Sequence, residues 1–486
     1  MKQQAFNPFL PLDTYIPDGE PHVFGDRVYL YGSHDKEGGN TFCMLGYEVW
    51  SAPVDDLGNW TSSGIVFSPK DTPYYSEERP YLYAPDCVRG NDGRYYLYCC
   101  PAGDKGKGGY DGPILVAVSD APDGKFTYLG EVKHPDGTPF QDCVLFDPAV
   151  INDGGVIRLY GGTGLWGGMQ ITRRNRFMMA KIASAVYHRP PEVFGGGNDP
   201  LGPFMLVLDD DMMTVRSCTP HILPVPSKTN GFLGHAFYEG ASIRKIGDTY
   251  YFLYSSERNH ELCYATSKYP DRGFVFGGTV VSNGDVGFLG RKQKDRLNHT
   301  GTTHGGIEKI GGKWYVFYHR QSHGSDYSRQ ACAEPIEIME DGSIPQVPIS
   351  SCGLNGGPLR GEGEYPAVIC CHLTNGKMPH GGNRTFKGLP MVTDDGSERY
   401  LTNLTRGVLV RYLSFDLLGT RSIVLKARGR GRIRVSDGKK TFCTLECSSK
   451  SWESVRGSIA GGEENSALEF HVERGSLELL SFTLEK

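Results

Sequence analysis

His22-Val23-Phe24-Gly25-Asp26-Arg27-Val28-Tyr29-Leu30-Tyr31 reads as two short strands joined by a tight turn. The phrase returns four times. Its second copy runs from Asp86-Cys87-Val88 through Asn91-Asp92-Gly93 to Tyr95-Tyr96-Leu97-Tyr98. The third runs from Asp147-Pro148-Ala149-Val150 through Asp153-Gly154 to Leu159-Tyr160. The fourth joins Glu239-Gly240-Ala241-Ser242-Ile243 to Tyr250-Tyr251-Phe252-Leu253-Tyr254 across Gly247-Asp248. The fifth joins His304-Gly305-Gly306-Ile307 to Trp314-Tyr315-Val316-Phe317-Tyr318 across Gly311-Gly312. One unit repeated in order marks a repeat architecture. A weaker second hairpin follows most copies, as at 47–52 with Asn59-Trp60, 116–119 with 126–128, and 263–267 with 274–276. Two hairpins make a four-stranded antiparallel sheet, and five such sheets set radially make a five-bladed β-propeller. The longest interval, 147 to 239, implies an insertion, which the Pro, Gly and Asp content places around 188–235. The alternative is an all-β sandwich with chance hairpins; five copies in one order favour the propeller.

Composition agrees with an all-β chain. The 486 residues are too many for one ordinary core, so two domains are expected. Sixty-five Gly, 30 Pro, 27 Tyr and 23 Phe suit many short strands and tight turns, and no sustained helical apolar stripe is visible. Net charge is −5 and the basic residues are scattered, the densest patch being Arg428-Gly429-Arg430-Gly431-Arg432. No nucleic-acid partner is expected from this pattern. No run approaches the ~18 apolar residues that span a bilayer, and Met1-Lys2-Gln3-Gln4 opens no signal-like segment. A cytoplasmic location is the expectation. The 13 Cys are odd in number and irregularly spaced, and the adjacent pairs Cys99-Cys100 and Cys370-Cys371 suit free, buried thiols in a reducing compartment.

In a propeller the first strand of each blade lines the central channel and delivers its opening residue to one pocket on the axis. Those residues are Asp18, Asp86, Asp147, Glu239 and His304. Glycoside hydrolysis needs one carboxylate to deprotonate water and one protonated carboxyl to protonate the leaving oxygen. A third carboxylate raises the acid's pKa by like-charge repulsion. Each acid alone has an ordinary reading. Pro17-Asp18-Gly19 is a turn, and Asp147-Pro148 a strand opening. Glu239 follows His235-Ala236-Phe237-Tyr238, where a buried acid must be satisfied. Asp86 either holds blade geometry or touches substrate. Their shared register is the stronger signal. No metal or redox cofactor is required for such chemistry.

The motifs Asn7-Pro8, Pro17-Asp18-Gly19-Glu20-Pro21-His22, Ala84-Pro85-Asp86, Phe146-Asp147-Pro148, Tyr238-Glu239-Gly240 and His304-Gly305 resemble those of glycoside hydrolase family 43 over residues 6–350. The resemblance implies a five-bladed propeller and an inverting mechanism. Asp18 then matches the general base, Asp147 the residue that tunes and orients the acid, and Glu239 the general acid. The family's Asp-Pro around the base appears here as Asp18-Gly19, which changes backbone stiffness but keeps the carboxylate. A branch acting on galactose linkages often lacks an acidic base, so Asp18 favours the arabinofuranosidase and xylosidase branches. His304 matches a family histidine that holds water around an axial calcium or sodium ion. Arg329 resembles an arginine that reaches the pocket and binds sugar hydroxyls. Trp166 is a candidate wall for sugar stacking. Phe237, His34 and Asp35 are further substrate-binding candidates, with packing or a turn as the alternative for each.

The expected domains are a catalytic propeller at 1–350, a Gly-, Pro- and Asn-rich linker at 351–395, and a β-sandwich at 396–486. The last carries alternating strands at 407–412, 422–427, 431–435, 468–472 and 477–482. It resembles a family 6 carbohydrate-binding module, including Trp452 before a strand, and either binds glycan or shapes the active-site rim. The expected function is exo-acting release of L-arabinofuranose or D-xylose from xylan- or arabinan-derived oligosaccharides. An endo-arabinanase-like hydrolase and a non-catalytic sugar-binding propeller are the alternatives. A fructan hydrolase would open on a different nucleophile motif.

Overall fold

A computed structural model describes residues 3–102, 112–165, 174–195, 199–381 and 386–486. Its first part is a ring of five antiparallel sheets. Blade 1 comprises β1 (Glu20–Phe24), β2 (Arg27–Tyr31), β3 (Tyr47–Pro53) and β4 (Thr61–Phe67). Blade 2 comprises β5 (Tyr81–Arg89), β6 (Tyr95–Ala102), β7 (Leu115–Ser119) and β8 (Thr127–Glu131). Blade 3 comprises β9 (Ala149–Asp153), β10 (Val156–Thr163), β11 (Gly202–Leu208) and β12 (Val215–Pro220). Blade 4 comprises β13 (Phe237–Ile246), β14 (Thr249–Ser256), β15 (Glu261–Ser267) and β16 (Val275–Ser282). Blade 5 has three strands, β17 (Ile307–Ile310), β18 (Lys313–Gln321) and β19 (Arg329–Ile336). The chain start closes the ring. Phe9 N–H donates to the Ala331 carbonyl at 3.2 Å. The Asn7 side chain exchanges two hydrogen bonds with the Ala333 backbone, at 2.9 and 3.0 Å.

The aromatic runs read as continuous because both faces of each blade are buried. In β14, Tyr250, Phe252 and Tyr254 pack with Tyr160 and Met205 of blade 3. Tyr251 and Leu253 point the other way, into a core shared with Ile307, Val316 and Tyr318 of blade 5. Successive side chains of a strand alternate faces, so one strand feeds two interblade cores. The remaining interfaces repeat this logic. Blades 1 and 2 share Tyr31, Tyr47, Leu97 and Cys99. Blades 5 and 1 share Val28, Leu30, Tyr315 and Phe317.

The insertion in blade 3 lies earlier than expected from 188–235. It occupies 164–201, between β10 and β11, and contains helix α1 (Arg176–Tyr187). Met179, Ala180, Ala183 and Tyr187 form its buried face at helical spacing. Three turns with small residues in that stripe give a periodicity too short to dominate the sequence. Among the described residues no helix is long and apolar enough to cross a membrane. All 13 cysteines are free.

Residues 351–395 are not a linker. They contain β20 (Leu359–Arg360), β21 (Gly363–Pro366), β22 (His372–Thr374) and β23 (Met391–Asp394), which join the second domain's sheet. Leu359, Tyr365, Ile369 and Val392 lie in its core. These strands are too short to show alternation among Gly and Pro. The rest of the domain is β24 (Arg399–Thr405), β25 (Leu409–Asp416), β26 (Ser422–Ser436), β27 (Thr441–Cys447), β28 (Glu453–Ser458) and β29 (Ser466–Glu485). The long strands β26 and β29 pair along their length and fold over together. One half is flanked by β25 and β27, the other by β24 and β28. This makes two layers around one core. The fold-over needs Gly475, where an added Cβ would sit 2.0 Å from the Arg430 carbonyl oxygen.

Candidate active site

Asp18 stands just before β1, Asp147 just before β9, and Glu239 inside β13 between two register shifts. Asp18 (φ 58°) and Asp147 (φ 45°) both adopt the left-handed backbone region. That costs a non-glycine residue about 1–2 kcal/mol, a strain that persists where surrounding structure over-determines it. Gly240 (φ 70°) completes the bulge; a Cβ there would come 3.1 Å from the His304 ring. Its N–H donates to Asp147 Oδ2 at 2.9 Å, tying the Asp147 carboxylate to the backbone beside Glu239. Asp18 and Asp147 flank one imidazole, their carboxylates 4.0 and 3.9 Å from His304 Nδ1. Glu239 is half-buried and keeps surface open to a ligand.

The three acids differ sharply in electrostatics. Burial pushes Asp18 up, but Arg329, with His304 assisting, outweighs it and holds the carboxyl below its ordinary value. Arg329 Nη1 donates to both Asp18 oxygens at 2.9 and 3.2 Å. Glu239 is pushed up to about 8 by burial and then by the Asp18 charge, with Arg329 opposing. Asp147 is pushed up to about 7, chiefly by burial and further by Glu239 and Asp18, against His304. One carboxylate is therefore ionised and one carboxyl protonated in the same site near neutral pH. His319, driven down to about 3 chiefly by burial and then by Arg329, is neutral. Its Nδ1 accepts the Asp18 N–H at 3.2 Å, so its proton sits on Nε2 and goes to the Thr302 carbonyl at 2.8 Å.

Several expected substrate contacts have other work. Arg329 has no donor left for a sugar. Nε and Nη2 grip Asp35 at 2.8 and 3.0 Å, Nη2 also reaches Cys43 Sγ at 3.4 Å, and Nη1 is spent on Asp18. Its guanidinium lies 4.7 Å over the Phe42 ring. Asp35, 1% exposed, orients Arg329 and does not face substrate. Asp86 is fully buried and accepts from His22 Nε2 at 2.6 Å and from Val150 N–H at 2.7 Å. It pins blades 1, 2 and 3 together, the geometric role of its two readings. His34 Nδ1 donates to the Gly46 carbonyl at 3.0 Å. Phe237 packs beside Phe252 and Tyr254, with ring centroids 5.9 and 5.8 Å away. Trp166 lies outside the described residues.

Sequence reading missed His319, Glu20 and Arg244. Glu20 carried a signal: it stands two residues from Asp18 in the same motif and shares one face of β1 with His22. Glu20 Oε2 accepts from Ser242 at 3.0 Å and from Arg244 at 3.2 Å. Its Oε1 is buried without a hydrogen-bond partner among the described residues and faces His304 Nε2 across 4.0 Å. A hard cation takes oxygen ligands at about 2.3–2.6 Å. Glu20 offers such an oxygen, and His304, whose Nε2 also lies 3.3 Å from the Ala241 carbonyl, stands beside it.

Two carboxyl groups of opposed ionisation, a third carboxyl beside them and a channel-lining histidine define the site of a glycoside hydrolase. The glycosyl hydrolases family 43 model matches residues 6–190. A xylosidase/arabinosidase of Thermoclostridium stercorarium is 39% identical over 505 aligned residues, covering 100% of this chain and 99% of that protein. Xylosidase/arabinosidase 43A of Humicola insolens is 33% identical over 69% of this chain and 98% of its own length. Among solved structures, a β-xylosidase/α-arabinofuranosidase from a compost microbial metagenome, in complex with xylotriose and in a calcium-free form, shares 25% identity. Its TM-score is 0.53, over 71% of this chain and 98% of that one. The chain belongs to glycosyl hydrolase family 43 and is a glycosidase.

Proposed function

We infer that the protein removes terminal D-xylose or L-arabinofuranose from xylan- or arabinan-derived oligosaccharides in a single inverting displacement. Asp18 is the base. It takes a proton from water as the water oxygen attacks the anomeric carbon. Glu239 is the acid, and gives its proton to the glycosidic oxygen as that bond breaks. Asp147, its Oδ2 anchored on Gly240 N–H, fixes the backbone bulge beside Glu239 and so orients the acid. An inverting site keeps its acid and base about 6.5–9.5 Å apart, enough for the water between them. The observation that carries this reading is the asymmetry of partners: Asp18 is gripped by Arg329, whereas burial and the Asp18 charge push Glu239 up.

The relatives named xylosidase/arabinosidase support the sugar class, and the xylotriose held by the metagenomic homologue supports an oligosaccharide substrate. The thirteen free thiols suit a reducing compartment. A calcium or sodium ion on the axis would take Glu20 Oε1 as an oxygen ligand, with His304 beside it helping to hold the water around the ion. Its positive charge would favour ionised carboxylates nearby, and the proton transfers need no such ion.

The test is a panel of aryl xylosides, arabinofuranosides and galactosides with Asp18→Asn. Turnover of the first two by the wild type and its loss in the variant, with an unchanged circular dichroism spectrum, is expected. Near-normal turnover by the variant removes Asp18 as the base.

A further inference from the structure

We propose that the hairpin β23–β24 of the C-terminal sandwich is a positioning device for the catalytic base, acting through Arg399 and Asp394; this rests on the reading of Asp18 as that base. Asp18 is held by Arg329, and Arg329 is held by Asp35. One of these holders sits in a loop and the other directly after one. Asp35 belongs to the segment between β2 and β3, and Arg329 is the first residue of β19, directly after the segment 322–328.

The sandwich grips both segments. Arg399, at the start of β24, pairs with Glu37, two residues beyond Asp35. It also donates to the Tyr15 hydroxyl at 2.8 Å. Tyr15 closes the circle, since its hydroxyl donates to Glu37 at 2.7 Å and its carbonyl accepts the Asp35 N–H at 2.9 Å. Asp394, at the end of β23, accepts from His323 Nε2 at 2.9 Å, on the segment that leads into Arg329. The same His323 nitrogen lies 3.5 Å from Glu37. One hairpin of the second domain thus bridges the blade 1 loop that carries Asp35 and the blade 5 loop that leads into Arg329, the two residues that hold Asp18.

Burial gives the pair weight. Arg399 and Glu37 side chains are 15% and 33% exposed, so the contact is more than a solvated surface pair. The sandwich offers a docking role and no obvious sugar platform in its best aromatic. Arg428 stacks 4.2 Å over the Trp452 ring, and Tyr400 meets it edge-on at 5.3 Å. The Humicola insolens relative exhausts 98% of its length on 69% of this chain, so the chemistry itself does not require everything present here. What the additional domain supplies is rigidity behind the base. Displacing a catalytic group by about 1 Å can cost about a hundredfold in rate, so a loosened loop need move little.

The experiment uses the full chain with Arg399→Met, Asp394→Asn, Glu37→Gln and the double variant Arg399→Met/Glu37→Gln. Measured are kcat and KM on an aryl glycoside, and the melting temperature. The proposal expects kcat to fall about tenfold in Arg399→Met and in Glu37→Gln, with KM within about twofold. It expects the double variant to be no worse than either single one, because the two residues act as a unit. Arg399→Lys should recover part of kcat. Unchanged kcat in Glu37→Gln and Asp394→Asn overturns it, as does a kcat that falls only in proportion to the folded fraction. These two variants keep shape and serve if Arg399→Met does not fold. Asp18→Asn separates the outcomes: an inactive Asp18→Asn beside fully active clamp variants defeats the clamp alone, and an active Asp18→Asn defeats the base assignment beneath it.

Discussion

Glu239→Gln keeps the shape of the side chain and removes its transferable proton. A general acid contributes about 10²–10⁴-fold to rate, which is roughly 3–6 kcal/mol at about 1.4 kcal/mol per decade. That contribution exists only where the leaving oxygen needs a proton. Hydrolysis of an oligosaccharide linkage should lose all of it. A 2,4-dinitrophenyl glycoside, whose phenolate departs unaided, should lose less than about tenfold. The pH profile gives a second reading. Glu239 is pushed up to about 8 by burial and the Asp18 charge, so it retains its proton through neutrality and releases it as pH rises through about 8. Wild-type kcat/KM should therefore fall about tenfold per pH unit above that point, and the variant's profile should be flat there. Stability carries the same sign. A carboxyl raised on folding contributes fully below its unfolded value, and the contribution is lost as pH rises through the folded value. Glutamine has no such dependence. Glu239→Gln should melt above the wild type at about pH 8, by an amount that shrinks towards about pH 5. Initial rates on the two substrates across this range, with melting curves alongside, make the assay. Equal losses on both substrates, or an alkaline limb that survives in the variant, would refute the assignment.

Arg329→Met should abolish turnover and destabilise the fold by about 3–5 kcal/mol, because it strands Asp18 and Asp35 as buried unpaired carboxyls; denaturant melts and kcat check both. Leu253→Ala, in the core between blades 4 and 5, should cost about 2–5 kcal/mol with kcat of the folded enzyme unchanged.

The blades were legible because the propeller buries both faces of its inner strands, which leaves aromatic runs such as 250–254 that no half-exposed sheet would carry. The acids were legible by register: Asp18, Asp147 and Glu239 open three of five equivalent units, and the structure sets Asp18 and Asp147 about one imidazole with Asp147 bonded to Gly240, next to Glu239. The roles of Arg329 and Asp35 were not legible, because the partners that define them lie about 300 residues apart and meet only on ring closure. Asp86 shows the limit of register alone. It opens a unit like the others, yet its oxygens are consumed by His22, Cys87 and Val150. Strands as short as Leu359–Arg360 carry no readable alternation, which hid the start of the sandwich inside an apparent linker.

The most direct test follows the anomeric proton of the released sugar by NMR in the first minutes of a wild-type reaction. A water activated by Asp18 attacks opposite to the bond protonated by Glu239, so the first-formed sugar carries inverted configuration and only later mutarotates. Initial release of the retained anomer would mean that a carboxylate had attacked the sugar itself, and the division of labour between Asp18 and Glu239 would be wrong.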